Sequence, residues 1–482
     1  MKRKNSPEDI LNYLEDASNL QTATATELVF PENETEVSEI LKEYSGKKIY
    51  ITPSGGGTGT VGGRLPSEGG ILATDNLNKI LNIDKKNKFV TVQPAVRIDS
   101  LLAELDKHEL FYPPYPTEKL SFIGGNFSTN ASGEYSFRYG DIRKYVRRAR
   151  IALTTGEIIE IKRGSCFADR DGMFKFGKYV FSRPAYTSPD IKNSAGYFSK
   201  PGMDLIDLFI GSEGTLGVVT EIELSLIDKL APSFSMIMFF NNENDLFGLY
   251  RFIKQNVKEK NTYINPFCLE YLDKFSLDFL KEDYPNIPAG SVGAIFLENE
   301  YVESEDKTLG IWEQLSEKYN PADVWFAGTH KDTNKFIDFR HKLPENINEY
   351  FRKQKMTKIS IDIAVPDEKF DELLKYYRSA MEKTSMHYVL FGHIGENHLH
   401  FNLFPKENEK EEAQNIYLGA VTRAVSMGGT IAAEHGVGKL KHKYLEMMYG
   451  KEGVMEMARI KKIFDPACIL SPDNIFPKEL LK

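Results

Sequence analysis

Pro53-Ser-Gly-Gly-Gly-Thr-Gly-Thr-Val-Gly-Gly63 is the stretch on which the reading of the fold turns. Its Gly57-x-Gly59-x-x-Gly62 spacing matches a dinucleotide fingerprint. That fingerprint works only where a helix begins at the glycines and aims its N-terminus at a pyrophosphate. Gly63, Pro66, Gly69 and Gly70 follow, so no helix is expected there. The Walker pattern fails as well, because Arg64 stands where Lys-Ser/Thr is required. What remains is a run of glycine amides free to bend into a concave donor surface, a nest for phosphate. A tight flexible turn is the alternative.

Two further clusters weigh against the plain turn. Ile123-Gly-Gly-Asn-Phe-Ser-Thr-Asn-Ala-Ser-Gly133 interleaves small residues with amide and hydroxyl donors, and Gly211-Ser-Glu-Gly-Thr-Leu-Gly217 stands immediately before a strand-like run. Three such segments suggest one large polar ligand lying along exposed backbone. A dinucleotide fits that better than a small metabolite.

Composition narrows the class. The 482 residues, 41% hydrophobic and 27% charged, are those of an ordinary globular chain of several domains. With 61 Lys and Arg against 69 Asp and Glu, the net charge of −8 argues against nucleic acid as a partner. Cys166, Cys268 and Cys468 are far apart, which excludes a disulfide framework or a C-x-x-C metal ribbon and fits a reducing, cytoplasmic location. No apolar run is long enough for a membrane span, and the charged start lacks a signal-peptide core.

Along the chain, residues 6–20 read as an amphipathic helix capped by Ser6, and 31–44 as a second helix. Strands are expected at 48–52, 89–93, 146–153, 157–161 and 218–225, with Asp99 capping a helix through His108 and a hairpin turn at 155–157. Residues 165–200, rich in Phe, Tyr, Gly and Pro, read as an insertion or lid. Within it, the aromatic and basic run 174–181 reads as a lid packing its own rings, with docking on a membrane or electron carrier as the alternative. The basic run 143–150 reads as a strand with a solvated face. Past Pro232, strands at 234–240, 292–299, 358–365 and 388–392 alternate with helices at 244–256, 304–319 and 368–383, an α+β pattern. From 406 the chain reads as mainly helical.

The second half carries the candidate chemistry. Six of the nine histidines fall between His387 and His442, three of them in Gly392-His-Ile-Gly-Glu-Asn-His-Leu-His-Phe-Asn402. Imidazole is the commonest metal ligand and the usual proton carrier near neutral pH. His398 and His400 share a face if this is a strand. His393, seven residues before His400, converges with it only if 395–397 turn the chain. Gly428-Gly-Thr-Ile-Ala-Ala-Glu434-His435-Gly-Val-Gly-Lys439 adds a glycine-flanked acid and imidazole. Two His and one carboxylate would leave open positions on a divalent ion, as a catalytic site needs.

"PSGGGTGTVGG", "IGGNFSTNASGEYSFRYGD" and "DLFIGSEGTLGVVTEIELSL" resemble three signatures of the FAD-binding fold of vanillyl-alcohol oxidase and related flavoproteins. The branch they resemble most holds D-lactate dehydrogenases, glycolate oxidases and D-2-hydroxyglutarate dehydrogenases. The resemblance, from about 23 to 477, implies an α+β architecture. An N-terminal helix (1–22) precedes a PCMH-type FAD-binding domain (23–228), and a substrate or cap domain with a helical tail (229–482) follows.

The resemblance puts FAD along Pro53, Ser54, Gly55, Gly56, Gly57, Thr58 and Gly59, with the pyrophosphate on 54–59. It adds Pro116, Gly124, Gly125, Asn126, Ser128, Asn130, Gly133 and Val218, with Tyr139 and Glu213 near the adenosine end. No His or Cys lies in these motifs, so the flavin is expected to be non-covalent.

In the second half, "GHIGENHLHFN" and "GGTIAAEHGVGK" are similar to the family's His-rich and Glu-His-Gly segments. That likeness implies a divalent metal, Zn, Mn or Fe, on His393, His400 and Glu434, with Asn402 and His435 facing substrate. Glu396, Asn397 and His398 depart from the family pattern, so His398 stands as a competing ligand or a tuner of the pocket. Arg340 matches the arginine that grips the substrate carboxylate, a task suited to its planar fork. The family's lysine near Lys358 has no equivalent in register.

The activity implied is oxidation of a D-2-hydroxy acid to the 2-oxo acid, by metal-assisted proton abstraction and hydride transfer to flavin N5. Electrons would pass to a quinone, cytochrome, flavoprotein or oxygen. Peripheral membrane association and a homodimer are both compatible with it. The alternatives are an alkylglycerone-phosphate-synthase-like transferase on the same fold and a flavin-binding protein without catalysis.

Overall fold

The strand Ile51–Ser54 runs into the glycine stretch, which stays free of helix as far as the next strand, Gly70–Ala73. This computed structural model describes residues 1–328, 330–354, 356 and 358–482. Contacts divide it into a first unit, Met1–Gly133, Gly140–Lys229 and Ile431–Lys482, and a second, Glu134–Tyr139 and Leu230–Thr430. The 229–482 segment read as one domain is therefore shared by both units, and residues 1–22 belong to the first.

In the first unit, Gly70–Ala73 lies between Glu27–Phe30 and Ile51–Ser54, parallel to both, with Lys2–Lys4 antiparallel at the edge. A parallel pair needs a crossover, supplied by helix Glu34–Lys47, which Asn33 caps by accepting from the Glu36 amide. Val37, Ile40, Leu41 and Tyr44 recur at helical spacing and pack on Ile51, Leu72, Leu77, Ile469 and Leu470. Those last two residues show why the C-terminal stretch belongs here. The N-terminal helix spans only Pro7–Leu11, capped by Ser6; beyond it Asp16 accepts from the Ser18 amide, a local bond that competes with helix.

A second sheet in this unit is antiparallel, ordered Ile80–Asp84, Phe89–Val92, Val218–Ser225, Val146–Ala152, Ile158–Lys162. Gly156 turns the last hairpin at φ 83°. Arg148 and Arg150 pair with Glu160, Glu221 and Glu34, so the basic run is a strand face neutralised by its neighbours. Asp99 is not a cap: helix Ile98–Asp106 starts a residue earlier, and Asp99 accepts from the Ser100 amide. The backbone of the 123–133 cluster is not all exposed. Ile123–Thr129 is a helix, packed so closely that a Cβ on Gly124 would meet Pro94 Cβ at 2.5 Å.

In the insertion, Met173–Phe176 and Tyr179–Ser182 form a hairpin whose Phe174, Tyr179 and Phe181 are buried, the last two against Phe464. Its aromatics are packing residues.

The second unit is one antiparallel sheet, ordered Asp323–Ala327, Ser233–Phe240, Gly293–Glu300, Cys268–Asp273, His387–Gly392, His398–Phe404, Ile359–Ala364. Helices Glu243–Lys258, Glu305–Tyr319, His330–Gln354, Phe370–Met381 and Lys410–Ser426 accompany it. The helical tail is Lys410–Ser426 and His442–Phe464, one helix in each unit. Among the described residues no helix is long and apolar enough to cross a membrane.

Candidate active site

The first unit holds a cleft of about 980 Å³ lined by 53–59, by Gly124, Gly125, Asn126 and Ser128, and by Glu213, Val218 and His435. Ser54 Oγ is buried and has no hydrogen-bond partner among the described residues. An orphaned hydroxyl beside successive glycine amides is a donor set awaiting an anionic ligand.

Four residues expected on the ligand lie outside this lining. The Pro116 carbonyl accepts from Lys119, and Asn130 donates to Asp141 at 2.9 Å. Gly133 stands where a Cβ would meet the Tyr115 carbonyl oxygen at 2.1 Å. Tyr139 belongs to the second unit and stacks on Phe267.

Glu213 does more than line the cleft. Its carboxylate accepts from the Val437 and Gly438 amides at 2.7 and 2.8 Å, tying the Glu-His-Gly segment to the first unit. Burial raises its pKa to about 7, against the pull of those two amides, Lys441 and Lys439.

Arg64, set aside above because it breaks the Walker pattern, braces the glycine run. It donates to the carbonyls of Gly55 at 3.1 Å and Asn12 at 2.7 Å and lines the cleft. A cation directly after clustered glycines was the signal for it. Lys192, hidden in the insertion, is a second residue missed: its side chain is 4% exposed and its ammonium is 2.8 Å from Glu434. His435 Nε2 lies 3.4 Å from the other Glu434 oxygen.

In the second unit the short helical turn Ile394–Glu396 and Asn397, at φ 55°, reverse the chain. Strands His387–Gly392 and His398–Phe404 therefore pair antiparallel, which the convergence of His393 and His400 requires. A ring nitrogen of His393 comes within 4.8 Å of one of His400. His398 is fully buried, its ring 4.7 Å from that of His400 and its Nε2 3.0 Å from Asp362. Asn402, two residues past His400 on the same strand, is buried, and its Oδ1 has no hydrogen-bond partner among the described residues.

Behind the histidines lies a buried ionic chain. His393 Nδ1 is 2.8 Å from Glu270, Glu270 is 3.3 Å from Arg340, and Glu134 is 3.8 Å from Arg340 and 2.6 Å from His341 Nε2. Burial works against the Arg340 charge, but the carboxylates of Glu270 and Glu134 outweigh it and hold the guanidinium above its usual range. Arg340 Nε is buried without a hydrogen-bond partner among the described residues. Glu134 and Glu270, both buried, face this guanidinium, whereas the buried Asp362 lies beside His398. Two imidazoles whose ring nitrogens approach one another within 4.8 Å suit a divalent ion.

The first unit holds a glycine-lined cleft and the second bears imidazoles and a buried arginine, and the family models that match the chain make these the parts of a flavin-dependent oxidoreductase of the PCMH type. Two family models match the chain: the FAD binding domain over residues 25–162 and the C-terminal domain of FAD linked oxidases over 253–475. The glycolate oxidase subunit GlcD of Bacillus subtilis (strain 168) is 31% identical over 98% of this chain and 93% of its own. A D-lactate dehydrogenase of Anaerostipes hadrus is 32% identical over 95% and 89%. A solved alkyldihydroxyacetonephosphate synthase shares the fold, with TM-score 0.71 and 15% identity over 98% of this chain and 82% of that one. The chain belongs to the FAD-linked oxidases, as an oxidoreductase of the glycolate oxidase and D-lactate dehydrogenase type.

Proposed function

We propose that the protein oxidises a D-2-hydroxy acid of the lactate, glycolate or 2-hydroxyglutarate kind to the 2-oxo acid. FAD is held without a covalent tether, and a divalent ion (Zn, Mn or Fe) is held by His393, His400 and Glu434. When bound, FAD supplies the two-electron acceptor and the ion supplies Lewis acidity toward the substrate hydroxyl.

The observation that carries this reading is a pair of unsatisfied groups. Arg340 Nε and Asn402 Oδ1 are both buried and both lack a hydrogen-bond partner among the described residues. Each such atom costs about 1–3 kcal/mol, and a 2-hydroxy acid offers the matching carboxylate acceptor and hydroxyl donor. Arg340 would fix the carboxylate, Asn402 would orient the hydroxyl, and His435 would take its proton as general base. Amides of 54–59 and Ser54 Oγ would carry the pyrophosphate, with Arg64 bracing the loop.

The electrons then pass to a separate acceptor, for which a quinone, cytochrome, flavoprotein and oxygen are the candidates. The three free cysteines fit the cytoplasmic location proposed here. The likeness to the alkyldihydroxyacetonephosphate synthase is one of fold, and the paired imidazoles favour oxidation over alkyl transfer.

The test is chelation followed by repletion. Metal-stripped, flavin-loaded protein should form no 2-oxo acid until Zn²⁺, Mn²⁺ or Fe²⁺ is restored. Full activity after exhaustive stripping removes the ion from the reading, and product formed with no acceptor reduced favours the transferase.

A further inference from the structure

We propose that Glu270 is a positioning residue that serves both halves of the substrate site, setting the tautomer of His393 and the seat of Arg340. The inference rests on the metal reading above and deepens it.

Glu270 lies on strand Cys268–Asp273, in the interior of the seven-stranded sheet, and is 2% exposed. Tyr271 pairs with Gly392 and Leu272 with Phe391, so one step further along the antiparallel register sets Glu270 opposite His393. The carboxylate is thus held by a sheet, not by a loop. Its Oε1 lies 2.8 Å from His393 Nδ1, and the same oxygen lies 3.3 Å from Arg340 Nη2.

Two consequences follow from that shared oxygen. A carboxylate accepts and does not donate, so His393 must carry its proton on Nδ1 and present the Nε2 lone pair to an ion. A carboxylate behind a ligating imidazole also orients the ring and raises its basicity. Arg340, drawn to the same atom, takes its position from the group that orients the imidazole. A side chain present only to neutralise Arg340 would not need to meet His393 as well.

The test uses Glu270→Gln in the flavin-loaded, metal-stripped protein, with Mn²⁺ titrated and free ion read by electron paramagnetic resonance. The neutral amide should weaken Mn²⁺ binding at least about 10-fold, within the range for lost outer partners of metal ligands. It should also raise KM for the 2-hydroxy acid while leaving FAD content unchanged. Glu270→Asp keeps the charge but withdraws it by one methylene, so Mn²⁺ affinity should fall there too, by less; this variant carries the test if the first does not fold. A purely structural role would lower the melting temperature of either variant and leave Mn²⁺ affinity at the parent value, which would overturn the proposal. If the parent protein binds no Mn²⁺, Zn²⁺ or Fe²⁺, the metal reading falls and this inference with it. Equal binding by parent and variants removes this inference alone.

Discussion

Replacing Glu213 by Gln should change how the stability of the first unit depends on pH. In the folded protein the carboxyl is buried and its pKa is raised from 4.5 to about 7, burial outweighing the two amides it accepts from. A group raised on folding binds its proton more tightly in the folded state. Its favourable contribution is complete below 4.5 and is lost as pH rises through 7. The displacement is worth roughly 3 kcal/mol, at about 1.4 kcal/mol per tenfold change in affinity. Gln is nearly isosteric with the protonated acid and has nothing to ionise. Gln can accept from only one of the two amides that Glu213 accepts from, so near pH 4.5 the variant should lie about 1–3 kcal/mol below the parent, and from there to pH 8 the difference should move in favour of the variant by roughly 3 kcal/mol. At about 2 °C per kcal/mol for a unit of this size, the difference in melting temperature should shift by on the order of 6 °C across that range. The assay is a series of thermal melts on flavin-free protein from pH 4.5 to 8 at constant ionic strength. A difference that does not vary with pH, or one that grows in favour of the parent, would refute the reasoning. It would mean that the amides of Val437 and Gly438 hold an anion there against the cost of burial.

Other outcomes follow from single contacts. His435→Ala should abolish turnover and leave FAD content intact, the backbone amides of 54–59 being the proposed seat of the flavin; undiminished kcat would remove the proposed base. Gly438→Ala should destabilise the first unit by more than about 3 kcal/mol, because φ is +50° and the new Cβ would meet the Val61 carbonyl oxygen at 2.1 Å. Denaturant unfolding reads this directly, and a midpoint unchanged from the parent would contradict the close approach. Arg64→Ala removes the donor that braces Gly55 and should weaken FAD retention roughly 10-fold, measured by flavin release on dilution.

What could be read in advance, and what could not, follows from the range of the forces involved. The alternating apolar runs at 218–225 and 234–240 declare strands because burial of one or both faces is written in local sequence. The turn between His393 and His400 was legible from the histidine spacing and realised at Asn397. Strand Cys268–Asp273 escaped notice because Glu270 interrupts an apolar run, and its role depends on His393 and Arg340, each more than 60 residues away. Lys192 was hidden for the same reason: its partner Glu434 lies 242 positions further along the chain. The helix at Ile123–Thr129 was not legible because paired glycines disfavour helix locally, whereas packing against Pro94 demands that Gly124 carry no side chain. Local propensity yields to tertiary contact in each case.

The central claim is that a 2-hydroxy acid held by Arg340 and Asn402 is oxidised at a flavin carried by the glycine cleft. Its most direct test is anaerobic mixing of the flavin-loaded, metal-replete protein with D-lactate, glycolate and D-2-hydroxyglutarate, followed by absorbance near 450 nm. At least one of these acids should bleach the flavin within the time of turnover, and Arg340→Lys should demand a much higher concentration of it. Loaded protein that stays yellow with every one of them would contradict the account.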